Sequence, residues 1–432
     1  MKLFNLIIIS LLILKCSRPQ EKIIILEPIS IISNNNVRNG LDVLLEDYPD
    51  YLSGKTIGLV TNHTGISRNK EKNYVLFQNK PNISLKKIFA PEHGFFGEAS
   101  AGAKVDYDSI NKIGTEIISL YGKNRKPSDQ MLEDLDLIIY DIQDVGARFY
   151  TYISTLGMVM EAAGEKGIDV MVLDRPNPIG GEIIEGAILD TSYKSFVGYY
   201  PIPIRYALTV GELAQMAVKE KWLSFDPPTL TIIKMDGWKR KMFFDDTNLP
   251  WVPPSPNIPD LETAIIYPGI CLYEATNVSE GRGTAKPFKQ IGAPWMNYDI
   301  AKEMKGLGIQ GAEFQYAKFK PKSLPGKAEN PKFKNKLCLG LKTIVTDKNK
   351  YRAVKSAINS IYITFGFYPD NFRFKKNRMG KLFGNDNLFG LITGRLYNSK
   401  KKKIRVPSGL IQLLEKDKEK FRILSEAYYL YD

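Results

Sequence analysis

The stretch LDLIIYDIQDVG, residues 135–146, joins an unbroken apolar run to a loop that contains aspartate and glycine. Unbroken apolar runs, in contrast to alternating ones, are expected of strands in a parallel sheet that helices cover on both faces. The same pattern, an apolar run followed by a polar or Gly/Pro-rich loop, recurs in residues 55–63, 84–94, 115–122, 167–178 and 229–238. These six segments predict an α/β fold.

Three segments between these runs are predicted to be helices, residues 37–46, 150–166 and 209–222. The last opens with Thr209 and Glu212, the spacing of a capping box in which both side chains satisfy free backbone donors. Loops that leave the carboxyl ends of parallel strands gather at one edge of the sheet, where ligands bind. We therefore expect the polar residues of these loops to converge there: Asn62, His63, Glu92, His93, Asp141, Asp144, Asp174 and Arg175.

The length of the chain predicts two domains, because 432 residues exceed the usual size of one. After about residue 260 the sequence changes to longer basic and aromatic stretches. This change predicts a first domain over residues 37–260 and a smaller α+β domain over residues 261–432. The Pro-rich WVPPSPNIPD, residues 251–260, lies at the boundary and excludes helix, so it is either a hinge or a wall of a cleft.

The composition excludes several classes of function. The formal net charge of +13 comes from dispersed lysines, with one compact run at residues 400–403, and this pattern does not predict binding to nucleic acid. The GxGxxG turn of dinucleotide-binding proteins is absent from the sequence, and no cofactor is expected. Cys271 and Cys338 lack metal-ligand spacing, so we expect two buried free thiols.

The first 16 residues have the form of an export signal, with a lysine ahead of an apolar run too short to span a bilayer comfortably. Cys16 comes just after this run, as in a bacterial lipoprotein whose cysteine is lipidated after cleavage, although Lys15 stands where a small residue is normally found. We expect an exported protein of the cell envelope, either periplasmic or anchored to the membrane through Cys16. Residues 17–36 are predicted to be a linker.

Several blocks of the sequence, in the same order, resemble the NamZ-type exo-β-N-acetylmuramidases, a bacterial family that acts on peptidoglycan. The blocks are TNHTG, APEHGFFGEASAG, SLYG, DIQDVGARFYTYISTL, LDRPNPIGG, PIPIRYALTVGELA, WVPPSPNIP, YPGICLYEATNVSEGRGTAKPF and IGAPW, with a weaker echo in the final LSEAYYLYD. The resemblance implies a Rossmann-like N-terminal domain, a smaller C-terminal auxiliary domain and a cleft between them. It also implies release of N-acetylmuramic acid from the non-reducing end of cell-wall glycans that contain N-acetylmuramyl-N-acetylglucosamine units. Tyr206 and Ala207 stand where His and Gly are expected in the family.

Glycoside hydrolysis requires a proton for the leaving oxygen, and a carboxylic acid is the usual donor. Glu92 is the predicted acid, because it lies in a Gly- and Pro-bounded loop at a strand end and the resemblance places the family's essential glutamate there. His93 is predicted to orient Glu92 or to bind substrate. The second group acts as nucleophile, activates water or polarises the substrate's own acetamido group. This role is open among Asp141, Asp144, Asp174, Glu274 and Glu280.

The lactyl carboxylate of N-acetylmuramic acid requires a cation, for which the planar guanidinium of arginine is suited. Arg148, Arg175 and Arg282 lie in the motif loops and are the predicted candidates. Each has an acidic residue close in sequence, so an internal ion pair is the alternative to substrate binding.

Two other functions agree with the same residues. His63, Glu92, His93 and Asp141 supply suitable ligands for a hydrolytic metal site, although the sequence contains no HExxH or comparable spacing. A lipoprotein that binds cell-wall glycan without cleaving it is the second alternative. The density of acidic residues in one set of loops favours catalysis over binding alone, and adjacent Glu92 and His93 are awkward as two ligands of one metal ion.

Overall fold

The computed structural model of the protein describes residues 22–29, 36–92, 94–97, 114–122, 124–390, 406 and 408–432. The strands of its larger sheet are β1 (Lys22–Leu26), β2 (Thr56–Thr61), β3 (Ser84–Ala90), β4 (Glu116–Ser119), β5 (Leu137–Asp141), β6 (Asp169–Leu173) and β7 (Thr229–Ile233). Their order is β1-β7-β6-β5-β2-β3-β4, and each strand is parallel to its neighbours. The α/β prediction is confirmed, since the six predicted segments contain β2 to β7.

Helices cover both faces of this sheet, which explains the unbroken apolar runs. The helices are α1 (Gly40–Asp47), α2 (Asn73–Gln78), α3 (Tyr152–Lys166) and α4 (Val210–Lys219). In β5, Leu137 and Ile139 belong to the core shared with α1 and α2, whereas Ile138 and Tyr140 belong to the core shared with α3 and α4. Because neither face of the pleat meets water, successive positions of the strand are apolar.

The predicted capping box at the start of α4 is confirmed. Thr209 Oγ1 accepts a hydrogen bond from Glu212 N at 3.2 Å, and Glu212 Oε2 accepts one from Thr209 N at 2.9 Å. Glu212 is also paired with Arg240, whose Nη1 lies 2.6 Å from Oε1. The box therefore satisfies two backbone donors and anchors the first turn of α4 to its surroundings.

The predicted linker over residues 17–36 is wrong for the part that forms β1. Lys22–Leu26 pairs in parallel with β7, in a register that places Lys22 beside Thr229 and Leu26 beside Ile233. The segment contains three consecutive isoleucines, a β-branched residue type that fits a pleated, half-buried surface. The parallel sheet thus begins before the predicted domain does. Residues 1–21, with Lys15 and Cys16, lie outside the described residues.

The C-terminal region is a smaller α+β unit, as predicted. Its elements are α5 (Leu261–Ile270), β8 (Gln290–Ala293), α6 (Asp299–Gly306), β9 (Ala312–Phe319), β10 (Cys338–Val345), α7 (Ala353–Phe367), α8 (Lys376–Phe383) and α9 (Ser408–Glu426). The three strands form an antiparallel sheet in the order β8-β10-β9. Cys271 and Cys338 are free and buried, which confirms the prediction for the two thiols.

The last residues of the chain return to the parallel sheet. Tyr431 Oη donates a hydrogen bond to Asp174 Oδ2 at 2.6 Å and accepts one from Met235 N at 3.0 Å. Leu430 N donates to Glu212 Oε1 at 2.9 Å. The terminal segment therefore fastens the C-terminal region to the first one. None of the described helices is both long enough and apolar enough to cross a membrane.

Candidate active site

A cavity of about 900 Å³ lies at the carboxyl ends of β3, β4 and β5, between the parallel sheet and the C-terminal region. From the first region it is lined by Glu92, Tyr121, Arg125, Thr151 and residues 195–197. The C-terminal region contributes Glu274, Glu280, Arg282, residues 327–332, Lys375, Arg378 and Lys381. This cavity corresponds to the cleft that the resemblance implies.

A recess of about 90 Å³ adjoins the cavity and shares several of its residues. The residues common to both are Glu92, Thr151, Val197, Glu274, Arg282 and Arg378. The recess adds mostly apolar and aromatic side chains, from Phe149, Tyr150, Ser255, Ile258, Tyr267 and Phe288. A ligand with polar edges and apolar faces fits this junction of a charged cavity and an apolar recess.

Glu92 follows β3 by two residues and is half-buried. Thr151 Oγ1 donates a hydrogen bond to Glu92 Oε2 at 2.6 Å. Thr151 directly precedes α3, a helix that is buried along most of its length, so this contact holds the carboxyl group against a rigid element. His93, the predicted companion of Glu92, lies outside the described residues.

Glu274 enters the same recess from the C-terminal region. It lies in a single turn of 3₁₀ helix, Cys271–Ala275. Arg282 Nη2 and Arg378 Nη2 each donate a hydrogen bond to its carboxylate at 2.8 Å. Burial favours the protonated form of Glu274, but the two guanidinium groups outweigh burial and lower its pKa. Glu274 is therefore an ionised carboxylate fixed from two sides.

Glu280 lines the cavity but is not among the residues that line the recess. Lys332 Nζ donates to Glu280 Oε2 at 2.9 Å and to the carbonyl oxygens of Tyr273 and Val278 at 2.7 and 2.9 Å. Arg282 Nε lies 3.7 Å from Glu280 Oε1. Glu280 therefore shapes the loop that carries the cavity residues.

Asp141 and Arg175 pair with each other beneath the site and do not line the cavity. Arg175 Nε and Nη2 donate to the two oxygens of Asp141 at 2.5 and 2.9 Å. Asn73 Nδ2 donates a further hydrogen bond to Asp141 Oδ2 at 2.7 Å. Both charged groups are buried, so this bidentate pair joins the ends of β5 and β6.

Asp144 is likewise buried outside the cavity. Its Oδ2 accepts hydrogen bonds from Tyr206 Oη at 2.5 Å and from Gly146 N at 2.7 Å. Tyr206, which replaces the expected histidine, is thus the partner of a buried carboxyl group in this chain. Ala207 has φ = 56°, a left-handed conformation that explains why glycine is expected at this position.

Asp174 and Arg148 also belong to the framework. Thr209 Oγ1, Gly211 N and Tyr431 Oη donate to Asp174 at 2.7, 2.8 and 2.6 Å. Arg148 is fully buried and donates to the carbonyl oxygens of Ala187, Ile202 and Leu382 at 2.8, 2.7 and 2.8 Å. Leu382 lies in α8, the helix that carries Arg378 and Lys381. Arg148 therefore connects this helix to the first region.

Asn62 and His63 line a separate pocket of about 180 Å³ beside Phe95 and Phe96. Asn62 Nδ2 donates to Tyr152 Oη at 2.8 Å, and His63 Nε2 lies 2.8 Å from the carbonyl oxygen of Pro253. Tyr152 Oη in turn donates to the carbonyl oxygen of Pro254 at 2.8 Å. These contacts hold the Pro-rich segment as a wall of the recess, to which it contributes Ser255 and Ile258.

Three of the four candidate metal ligands are among the described residues, and they lie apart from one another. His63, Glu92 and Asp141 lie in three different environments, the Pro-rich wall, the recess and a buried ion pair. Within the described ranges, no group of three or more His, Cys, Asp or Glu side chains is placed to hold a metal ion.

Of the predicted site residues, the cavity brings together Glu92, Glu274, Glu280 and Arg282. Sequence reasoning missed Arg125, Thr151, Lys375, Arg378, Lys381 and residues 327–332. The only signal for several of them is the basic character of GKAENPKFKNK, residues 326–336, and of the segment around residue 376.

Comparison with known proteins identifies similar sequences and structures. Family models described as exo-beta-N-acetylmuramidase NamZ, N-terminal and C-terminal, match residues 57–262 and 265–431. The chain is 43% identical over 397 residues to the peptidoglycan beta-N-acetylmuramidase NamZ of Bacillus subtilis strain 168, with 91% of each chain covered. Two crystal structures of DUF1343 family proteins from Bacteroides fragilis are 33% identical to it and cover 92% of it. Their TM-scores are 0.82 and 0.71, and the matches span 100% and 99% of those chains.

Proposed function

The chain belongs to the exo-β-N-acetylmuramidase NamZ family, and we propose that it is a glycoside hydrolase that releases N-acetylmuramic acid from the non-reducing ends of peptidoglycan fragments. The observation that carries this proposal is the recess that Glu92, held by Thr151, shares with the ionised Glu274. A pair of carboxyl groups beside the scissile bond is the usual arrangement in glycoside hydrolases.

In the proposed mechanism Glu92 is the general acid. Thr151 donates to Oε2, so Oε2 acts as the carbonyl-like oxygen and Oε1 carries the proton toward the glycosidic oxygen. As the bond between the sugars breaks, the proton moves to the leaving oxygen and positive charge develops on the terminal sugar ring. Glu274 stabilises this charge, either at the ring or through the acetamido group, because its two arginine partners keep it ionised. Water then adds to the anomeric carbon and loses a proton to a carboxylate of the site, which completes the hydrolysis.

Selection of N-acetylmuramic acid requires a cation close to the reacting sugar. Arg282 and Arg378 line the recess, and each binds Glu274 through one terminal nitrogen, so that each retains further N–H donors. We assign to them the lactyl carboxylate of the terminal sugar. This substrate is consistent with N-acetylmuramyl-N-acetylglucosamine as the smallest natural unit.

The proposed location is the cell envelope. The predicted export signal over the first 16 residues and the position of Cys16 support export and a lipid anchor. Membrane and soluble fractions of cells that express the wild type or Cys16→Ala test this anchor. The variant is expected in the soluble fraction, and a variant that stays in the membrane would show that Cys16 is not the anchoring residue.

The activity is tested with synthetic aryl β-N-acetylmuramide and its β-N-acetylglucosaminide counterpart, using the chain from Ser17 onward. The two substrates differ only in the lactyl group, so turnover of the muramide alone supports both the glycosidase and its selectivity. Binding of the muramide without turnover would indicate a glycan-binding protein. Turnover that a chelator abolishes would indicate a metal-dependent hydrolase.

A further inference from the structure

The cations that line the cavity fall into two groups. Arg282, Arg378 and Lys332 are each paired with a cavity carboxylate, Glu274 or Glu280. A second group, here called the outer cations, lines the same cavity without a carboxylate at ion-pair distance among the residues that the structure describes. The outer cations are Arg125, Lys327, Lys375 and Lys381. Their positive charge is therefore available to an anionic ligand.

The outer cations do not line the recess that holds Glu92 and Glu274. They consequently lie outside the recess, where the reacting sugar is proposed to bind. With a volume of about 900 Å³, the cavity is near the upper end of small-molecule sites, which span about 300–1,000 Å³. The cavity thus has room for sugars on the leaving-group side of the cleaved bond.

Arg125 is the outer cation that stacks on an aromatic ring among the described residues. Its guanidinium carbon lies 4.3 Å from the centre of the Phe196 ring, which fixes the plane of the group. Its Nε is buried and has no hydrogen-bond partner within the described part of the chain. A guanidinium fixed by stacking is pre-organised to bind a carboxylate through two parallel hydrogen bonds.

We propose that the outer cations, Arg125 foremost among them, bind a second carboxylate of the substrate, located two sugars beyond the cleaved bond. This inference rests on the proposed function. In a glycan that alternates N-acetylmuramic acid and N-acetylglucosamine, the sugar after the cleaved bond is uncharged and the next one carries another lactyl carboxylate. The protein therefore prefers acidic oligosaccharides of three or more sugars over the disaccharide.

The test compares two trisaccharides of equal length. One is N-acetylmuramyl-N-acetylglucosaminyl-N-acetylmuramic acid, and the other has the lactyl carboxylate of its reducing-end sugar converted to a primary amide. We expect kcat/KM for the acid to exceed that for the amide by about threefold to tenfold at low salt, the range of a charge-assisted contact at a partly exposed site. The preference is expected to shrink at high salt, because the outer cations are reached by solvent.

Arg125→Met is expected to lower kcat/KM for the acid more than for the amide, so that the ratio of the two rates falls close to one. Lys126→Met is the matched control, because Lys126 is the sequence neighbour, pairs with Glu165 at 2.8 Å and does not line the cavity. If Arg125→Met fails to fold, Arg125→Lys and Lys381→Met take its place, with a partial loss of the preference expected for each.

Equal rates for the two trisaccharides in the wild type would overturn the inference. A fall in both rates by the same factor in Arg125→Met would overturn it as well, since Arg125 would then serve the terminal sugar. If the folded wild type cleaves neither trisaccharide, the proposed function itself fails, and this outcome is distinguishable from the first two.

Discussion

Asp144 gives a pH dependence of stability whose direction is opposite to that of most carboxylates. Burial raises its pKa from 3.8 to about 6, although hydrogen bonds from Tyr206 and from the backbone of Gly146 act in the other direction. The folded state therefore binds the proton more tightly than the unfolded state does. The resulting stabilisation is present below about pH 3.8 and is lost as the pH rises through about 6. A shift of about two pH units corresponds to about 3 kcal/mol, at about 1.36 kcal/mol per unit.

The perturbation that isolates this effect is Asp144→Asn. The amide oxygen can accept the same hydrogen bonds from Tyr206 and Gly146, and the side chain no longer titrates. Free energies of unfolding from urea titrations, measured in steps from about pH 4 to pH 8, are expected to fall in the wild type relative to the variant by about 3 kcal/mol.

A difference between wild type and variant that stays constant across this pH range would refute the reasoning, because Asp144 would then have the same pKa folded and unfolded. Asp50→Asn removes an equal charge from an exposed position and serves as the control. A parallel trend in this control would assign the effect to net charge.

Three further variants test individual contacts. Ala207→Gly relieves the strain of a left-handed backbone but adds conformational freedom to the unfolded chain, so the free energy of unfolding from urea titration is expected to rise by about 0.5 kcal/mol. A lower free energy of unfolding would contradict the strain at φ = 56°. Thr151→Val removes the hydrogen bond to Glu92 and is expected to lower kcat for the muramide by about threefold to tenfold with little change in KM, whereas a change in KM alone would place Thr151 in binding. Glu274→Gln leaves two arginines without their carboxylate and is expected to lower kcat/KM for the muramide by more than about tenfold. The control Glu313→Gln, at an exposed position, is expected to keep the wild-type value. Equal activity of the two variants would exclude Glu274 from the reaction.

The sequence predicts the parallel sheet well because both faces of its strands are buried. In β5, alternate residues contact opposite helical layers, so the apolar run is unbroken and easily recognised. The same reasoning does not identify the first strand, Lys22–Leu26. It is short, it lies at the edge of the sheet, and polar residues that suit a tether follow it.

Loops at the carboxyl ends of parallel strands are expected to bind ligands, and this expectation identifies the right edge of the sheet. It does not distinguish side chains in the cavity from those beneath it. Asp141 and Arg175 are 34 residues apart and form one buried pair, whereas the sequence suggested partners close by. Arg148 donates hydrogen bonds to three backbone carbonyl groups in place of an ion pair with a nearby carboxylate. Such pairings depend on tertiary packing, which has no local signature.

The C-terminal half of the cavity was the hardest part to predict. Arg378 and Lys381 lie on α8, and residues 327–332 lie in an irregular loop, so no rule for parallel sheets applies to them. Their meeting with Glu92 depends on the packing of two regions. Arg148 contributes to this packing through its hydrogen bond to Leu382 in α8.

The central claim is that Glu92 protonates the leaving group. The most direct test is how the loss of kcat/KM in Glu92→Gln depends on the basicity of the leaving group. For N-acetylmuramyl-N-acetylglucosamine, whose leaving alcohol needs a proton, the variant is expected to lose about 10²- to 10⁴-fold in kcat/KM. For the 2,4-dinitrophenyl β-N-acetylmuramide, whose leaving group departs without a proton, the variant is expected to stay close to the wild type. Equal losses for both substrates, or no loss for either, would contradict the assignment of Glu92 as the general acid.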